Sequence, residues 1–313
     1  MPGYIARRLL ATVPVMAVVA IFVFLLLRLT AGDPAAIIAG DIANAQQIAE
    51  IRAKLGLDRP VAEQFAIWIR RIAVGDFGES FFFRKTVRDL IVDRLEPTLS
   101  LTVCTMVLAV AFAIPLGVTA ARNRGTWVDR AVMGLSTLGF SVPVFVIGYT
   151  LIYVFAVQLG WLPVQGYQRL GQGLGGFIEH LVLPSLTLSV LYVALIARIT
   201  RASVLDVLNA DYVRTARAKG LADLWVMLRH VLRNAAVPIV TVIGLGIALL
   251  IGGVVVTESV FSIPGLGRLT VDAVLARDYP TIQAVVLLFS VVYVLINLLV
   301  DLTYVFLDPR IRY

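Results

Sequence analysis

The sequence predicts an all-α integral membrane protein with about six transmembrane helices and a helical segment outside the bilayer after the first helix. Three observations carry this reading. Of 313 residues, 59% are hydrophobic and only 15% are charged, against about 25% charged in an average soluble domain. The mean hydropathy is +0.91. Apolar stretches almost free of charge recur along the chain, near the about 20 residues that a helix needs to cross the hydrocarbon core. So little charge could not cover a water-facing surface without large apolar patches. Lipid is therefore part of the solvent.

The first stretch covers residues 9–27 and is closed by Arg28. Arg7 and Arg8 before it resemble the start of a signal peptide. The run is longer than the usual about 7–15 residues and no small-x-small cleavage site ends it, so it reads as a retained helix. The second stretch is 97–121. The third, 131–168, is too long for one span, and Trp161, Leu162 and Pro163 mark where its helix leaves the membrane, because Trp favours the interface and Pro breaks the ladder. The fourth is 181–197, the fifth 234–257 and the sixth 279–300. Pro115, Pro143, Pro184 and Pro238 lie in or at the starts of these runs, as kinks or as tolerated prolines alike. Gly244, Gly246, Gly252 and Gly253 suit close helix packing in the fifth span, which we favour over pore lining.

Orientation follows from the short basic loops. Arg7, Arg8, Arg122, Arg124, Arg130, the cluster from Arg198 to Arg233, Arg310 and Arg312 all fall on one side if there are six spans. Both termini are then cytoplasmic. The domain reading is residues 1–31 as the first transmembrane helix, 32–96 as an extracytoplasmic segment, 97–308 as a five-helix core and 309–313 as a cytoplasmic tail. Within 32–96, residues 43–54 form a helix closed by Gly56. Val61, Phe65, Ile69 and Ile72 follow near the helical period, before Gly75 and Gly78.

Cytoplasmic loop 203–233 is the informative part of the core. Asn209 or Asp211 can cap a helix over 212–219, and Gly220 can close it. Tyr212, Ala216 and Gly220 share one face that permits close approach. Arg214 and Arg217 share a neighbouring face and can pair with acidic groups. A basic loop resting on anionic headgroups explains the charges equally well. It explains less well a short capped helix with small residues on one side.

At this segment the chain resembles a family. ADYVRTARAKGL followed by RHVLRNAAVPIV is similar to the coupling motif of permeases in binding-protein-dependent ABC importers, in the oligopeptide/dipeptide/nickel subfamily. LGLDRPVAEQF, GDFGES, TESVFSIPGLGRL and LDPRIRY spread the resemblance over nearly the whole chain, and their order resembles the first of the two permease subunits. The resemblance implies a type I importer permease fold. It implies that Asp211, Tyr212, Arg214, Thr215, Ala216, Arg217, Lys219 and Gly220 form the ATPase-coupling surface. It also makes Glu258, Ser259, Phe261, Pro264 and Gly265 a candidate outer gate or binding-protein contact. The implied partners are a second homologous permease subunit, two cytosolic ATPase subunits, an extracytoplasmic substrate-binding protein and membrane lipid. The implied cargo is a di- or oligopeptide, with nickel, glutathione or another small solute as alternatives. One departure stands out: the wider superfamily has Glu-Ala-Ala where this chain has Arg214-Thr215-Ala216, so a contact made by that Glu cannot be carried over.

Other function classes find less support. A P-loop needs a Gly-Lys pair, and Lys54, Lys85 and Lys219 follow Ala53, Arg84 and Ala218. The chain therefore has no P-loop; with no catalytic constellation or cofactor site visible either, ATP is expected on partner subunits. A stand-alone secondary transporter calls for inverted repeats and intramembrane charge. The spans carry little charge, Asp301 being read as paired with an Arg or as part of a proton relay. His180 and His230 are far apart and lack metal-ligand spacing. The lone Cys104 excludes an intrachain disulfide and reads as a small buried hydrophobe. The net charge of +7 lacks the basic-aromatic interleaving of nucleic-acid binders.

Overall fold

The computed structural model describes residues 2–29, 35–36, 44–54, 56–80 and 82–307. The start of the extracytoplasmic segment and the tail with Arg310 and Arg312 lie outside them. By contact the chain divides into two compact units, Met1–Glu96 with Gly265–Val294, and Pro97–Pro264 with Leu295–Tyr313.

The first unit contains α1 (Pro2–Leu29), α2 (Ala45–Lys54) and α3 (Val61–Ala73). A two-stranded hairpin follows, β1 (Glu79–Ser80) and β2 (Lys85–Thr86), paired antiparallel with Glu79 opposite Thr86. The unit also holds the first turns of α4 (Val87–Arg122), all of α12 (Leu266–Leu275) and the first half of α13 (Tyr279–Leu307). Gly56 closes α2 as expected: its φ is +64°, its N–H bonds to Ala53 O, and Leu57 N–H reaches back to Arg52 O. The expected set on α3 holds in part. Phe65 and Ile72 are half-buried, whereas Val61 and Ile69 are exposed. Trp68 joins Ile72 in packing with Val19, Ala20, Val23 and Leu287. Phe24, Phe65 and Trp68 form an aromatic cluster with centroids 5.0–6.1 Å apart. Positions 65, 68 and 72 fit one helical face, and Trp68 brings to it the large apolar area of an indole.

The second unit is organised around α7 (Leu174–Leu208). Around it lie the rest of α4, α5 (Trp127–Ser141), α6 (Val144–Leu151), α10 (Arg233–Gly253) and α11 (Val255–Val260). Glycines set the crossings. A Cβ on Gly117 of α4 would lie 2.6 Å from Thr200 Cβ and 2.7 Å from Ala197 O. On Gly139 of α5 it would meet Ala194 and Val190 at 3.3 Å. Gly246 of α10 faces Met106 and Tyr192, and Gly244 abuts Val300 of α13. Packing is thus the role of Gly244 and Gly246, whereas Gly252 faces open space. Cys104 is only half-buried, against the edge of the core.

Helices α4, α7 and α13, and the continuous run Asp223–Gly252, are long and apolar enough to cross a membrane. The third apolar stretch is interrupted: α5 and α6, with its π-helical continuation Ile152–Gln158, are bent by 99°, the geometry of one broken span or of a re-entrant loop. Helix 1 contributes a shorter apolar stretch, Leu10–Leu26. The break falls at Pro143, which has no N–H to donate and holds Val142 in extended geometry (φ −90°, ψ 124°), as a residue before proline prefers. Pro115, Pro184 and Pro238 remain inside helices. The helix ends at Gln158, just before Gly160 and Trp161, where the sequence placed the exit.

Candidate functional site

The segment after α7 folds as α8 (Asp211–Ala218), separated from α7 by Asn209 and Ala210 alone. Neither Asn209 nor Asp211 caps it. Ala210 is the N-cap and its side chain makes no cap bond. Asp211 instead occupies the first turn, where a carboxylate favours the positive end of the helix dipole. Gly220 closes the helix as expected. Its φ is +77°, its N–H bonds to Arg217 O at 2.9 Å, and Leu221 N–H reaches Ala216 O at 3.4 Å. This is the paired turn that left-handed glycine allows at a helix C-terminus.

Burial divides α8 into two faces. Val213 has no exposed surface and Ala216 is 6% exposed, both within the core of the second unit. Asp211, Tyr212, Arg214, Thr215, Arg217, Lys219 and Gly220 are exposed. Ala216 therefore seats the helix on its own bundle instead of lining the outward face with Tyr212. Alternating polarity did not reveal this, because alanine serves either environment. Arg217 finds its acidic partner within the chain. Its Nη2 lies 3.4 Å from Asp223 Oδ1, and Arg122 Nη2 lies 2.5 Å from Asp223 Oδ2. After Gly220 the chain resumes as α9 (Asp223–Trp225), which passes through a π-helical stretch, Val226–Leu232, into α10.

Sequence reasoning missed Asp129 and Arg201. Asp129, 5% exposed in the first turn of α5, accepts two bonds from Arg201 of α7, at 2.5 and 2.7 Å. The available signal was an acidic residue at the head of a helix, facing a basic one at the tail of another.

The second candidate group splits. Glu258 has no exposed surface and Phe261 is 2% exposed, so in this conformation neither presents a side chain to a docked protein. Ser259 and Pro264 are exposed. Gly265, in the first unit, is buried as the N-cap of α12. Helix α11 ends in a turn with Ser262 at φ +51°, and Ile263 N–H reaches Glu258 O at 2.8 Å. Gly166 N–H bonds to Phe261 O at 2.8 Å, so the turn is tied to the loop after Gln158. His180 is engaged with Gly176 O at 2.7 Å.

A family model described as the inner membrane component of binding-protein-dependent transport systems matches residues 113–313, and the model of their N-terminal part matches residues 1–102. The chain belongs to this family. Relatives agree along the full length. The probable peptide ABC transporter permease protein y4tP of Sinorhizobium fredii is 56% identical over 310 residues, 99% of each chain. The glutathione transport system permease protein GsiC of Escherichia coli (strain K12) is 48% identical over 313 residues, 100% of each chain. A chain of the inward-facing MetNI methionine ABC transporter matches with a TM-score of 0.57 at 18% identity, covering 70% of this chain and 96% of that one. That likeness shows the fold. The permease is thus a multi-pass inner-membrane transport subunit with the type I importer fold, of the peptide/nickel family of ABC importers. It works with ATPase and binding-protein partners.

Proposed function

We propose that this permease forms half of the translocation pathway of an ATP-driven importer for di- or oligopeptides, and that α8 docks on an ATPase subunit from the cytoplasm. One observation carries the reading. Helix α8 is seated on its own bundle through Val213 and Ala216, while Tyr212, Arg214, Thr215 and Lys219 project outward. A helix held on one side and bare on the other can pass a push from a partner into the bundle.

The finer assignments belong to the same proposal. A second homologous permease completes the pathway, and two cytosolic ATPase subunits bind and hydrolyse the ATP. No cofactor resides in this chain, and both termini are cytoplasmic. A binding protein delivers the cargo on the opposite face, where exposed Ser259 and Pro264 are the available contacts. The Arg214-Thr215 pair in place of Glu-Ala leaves α8 basic, so its docking groove is acidic at the rim.

The test is copurification. Arg214→Glu with Tyr212→Ala lowers the retained ATPase at least fivefold, with membrane insertion unchanged. Full retention in that variant removes α8 from the interface. Solute pumping by the purified chain alone in vesicles removes the whole reading. The relatives named for glutathione favour a second cargo, itself a tripeptide. Mass spectrometry of the ligand held by the cognate binding protein separates the two.

A further inference from the structure

Two polar links hold the turn between α4 and α5. The first is the Asp129–Arg201 pair. Asp129 Oδ1 accepts from Arg201 Nε at 2.5 Å and Oδ2 accepts from Nη2 at 2.7 Å. Oδ2 also accepts the N–H of Gly125, 3.0 Å away, in a turn where Gly125 has φ +80°. One buried carboxylate thus binds the turn on one side and α7 on the other. The second link is Asp223, which takes Arg122 at the end of α4 and Arg217 on α8. In chain order, Arg201 precedes α8 and Asp223 follows it. The turn is therefore tied to the chain on both sides of α8.

The two links are not equal. Arg122, Arg217 and Asp223 have side chains 45–48% exposed, where water and salt screen an ion pair to little net effect. Asp129 has a side chain 6% exposed and Arg201 one 25% exposed. A guanidinium fork on both carboxylate oxygens fixes orientation as well as distance. A crevice of about 440 Å³ lies beside it, lined by Arg124, Arg201, Ala202, Leu205, Asp206 and Asn209. The crevice is open at the surface beside the fork, whereas farther along the two helices touch directly, at Gly139 against Val190 and Ala194.

We propose that Asp129 and Arg201 are positioning residues that transmit the displacement of α8. Movement of α8 passes along α7, to which only Asn209 and Ala210 separate it, through the fork into the head of α5. Helix α5 leads to the break at Pro143, so the motion arrives at that bend. The inference rests on the reading of α8 as the ATPase-docking element.

The test uses the whole transporter, copurified with its ATPase subunits and reconstituted. Spin labels at exposed Leu135 on α5 and Leu249 on α10, with Cys104→Ser, report the change in their separation when ATP is added. In Asp129→Asn and in Arg201→Lys, which keeps the charge but loses the fork, the ATP-induced change falls to less than half. ATPase retention and hydrolysis stay within twofold. Asp129→Arg combined with Arg201→Asp restores most of the change. A full change in folded Arg201→Lys overturns the inference while leaving α8 as the docking element. So does loss of the ATPase from both single variants, which would make the pair an assembly contact. No ATPase bound to the unaltered chain would instead defeat the docking reading, and the inference with it.

Discussion

Thr98 Oγ1 donates a 2.7 Å hydrogen bond to Oε1 of Glu258, a residue with no exposed surface. The bond joins α4 to α11 across 160 positions. Burying a carboxylate is costly unless hydrogen bonds replace its water. Glu258 is therefore a brace inside the second unit, and the TESVFSIPG stretch folds around it. Thr98→Val removes a donor and keeps the shape. It should lower stability by about 1–3 kcal/mol, the cost of leaving a buried acceptor short of a partner. Thermal unfolding of the purified chain in detergent measures this, and an unshifted midpoint would show that the bond does not matter.

Gly117 sets a close crossing of α4 and α7. A Cβ there would lie within 2.7 Å of Ala197 O, a backbone atom that cannot rotate away. Gly117→Ala should force α4 and α7 apart and cost about 1–3 kcal/mol, the usual range for overpacking. Thr200→Ala in the same chain should not rescue it, because the carbonyl remains. Complete rescue would mean that the crossing adjusts freely.

Gly220 separates backbone need from side-chain space. An added Cβ would meet nothing within 4 Å, yet φ is +77°. Gly220→Ala should therefore cost about 1 kcal/mol through backbone strain and keep α8 in place. Gly220→Pro cannot adopt that φ and deletes the N–H bonded to Arg217 O. Hydrogen exchange of the α8 amides should rise modestly in the first variant and to that of an open segment in the second. Equal protection in both would contradict the capping role.

The bent third stretch shows the limit of pattern reading. Residues 131–168 were visibly too long for one helix, and the exit near Trp161 was legible because Trp favours the interface and Pro163 breaks a helix. The 99° bend at Pro143 was not. Eight prolines lie in or at the edges of the apolar runs, and a proline bends a chain only where its neighbours cannot re-satisfy the freed carbonyls. Pro115, Pro184 and Pro238 sit in helices that continue through them.

The candidate site was legible in its ends and not in its faces. Gly220 marked where α8 stops, because few residues other than glycine tolerate that turn. Ala216 was assigned to the coupling face and Glu258 to an outer gate or a binding-protein contact, and both side chains are buried. Alanine carries no polarity to read. A glutamate carries the wrong one, and its partner Thr98 lies far off in the chain.

Local chemistry by itself determined the apolar helices and where the segment around α8 stops. Lipid imposes a minimum apolar length and the backbone imposes its own turn residues, and both demands act within about 20 residues. Tertiary structure alone decided which proline broke its helix, which glycines let helices touch, and which charges met as Asp129 and Arg201. Those outcomes depend on atoms brought together from distant positions, and a short window of sequence holds only one half of each contact.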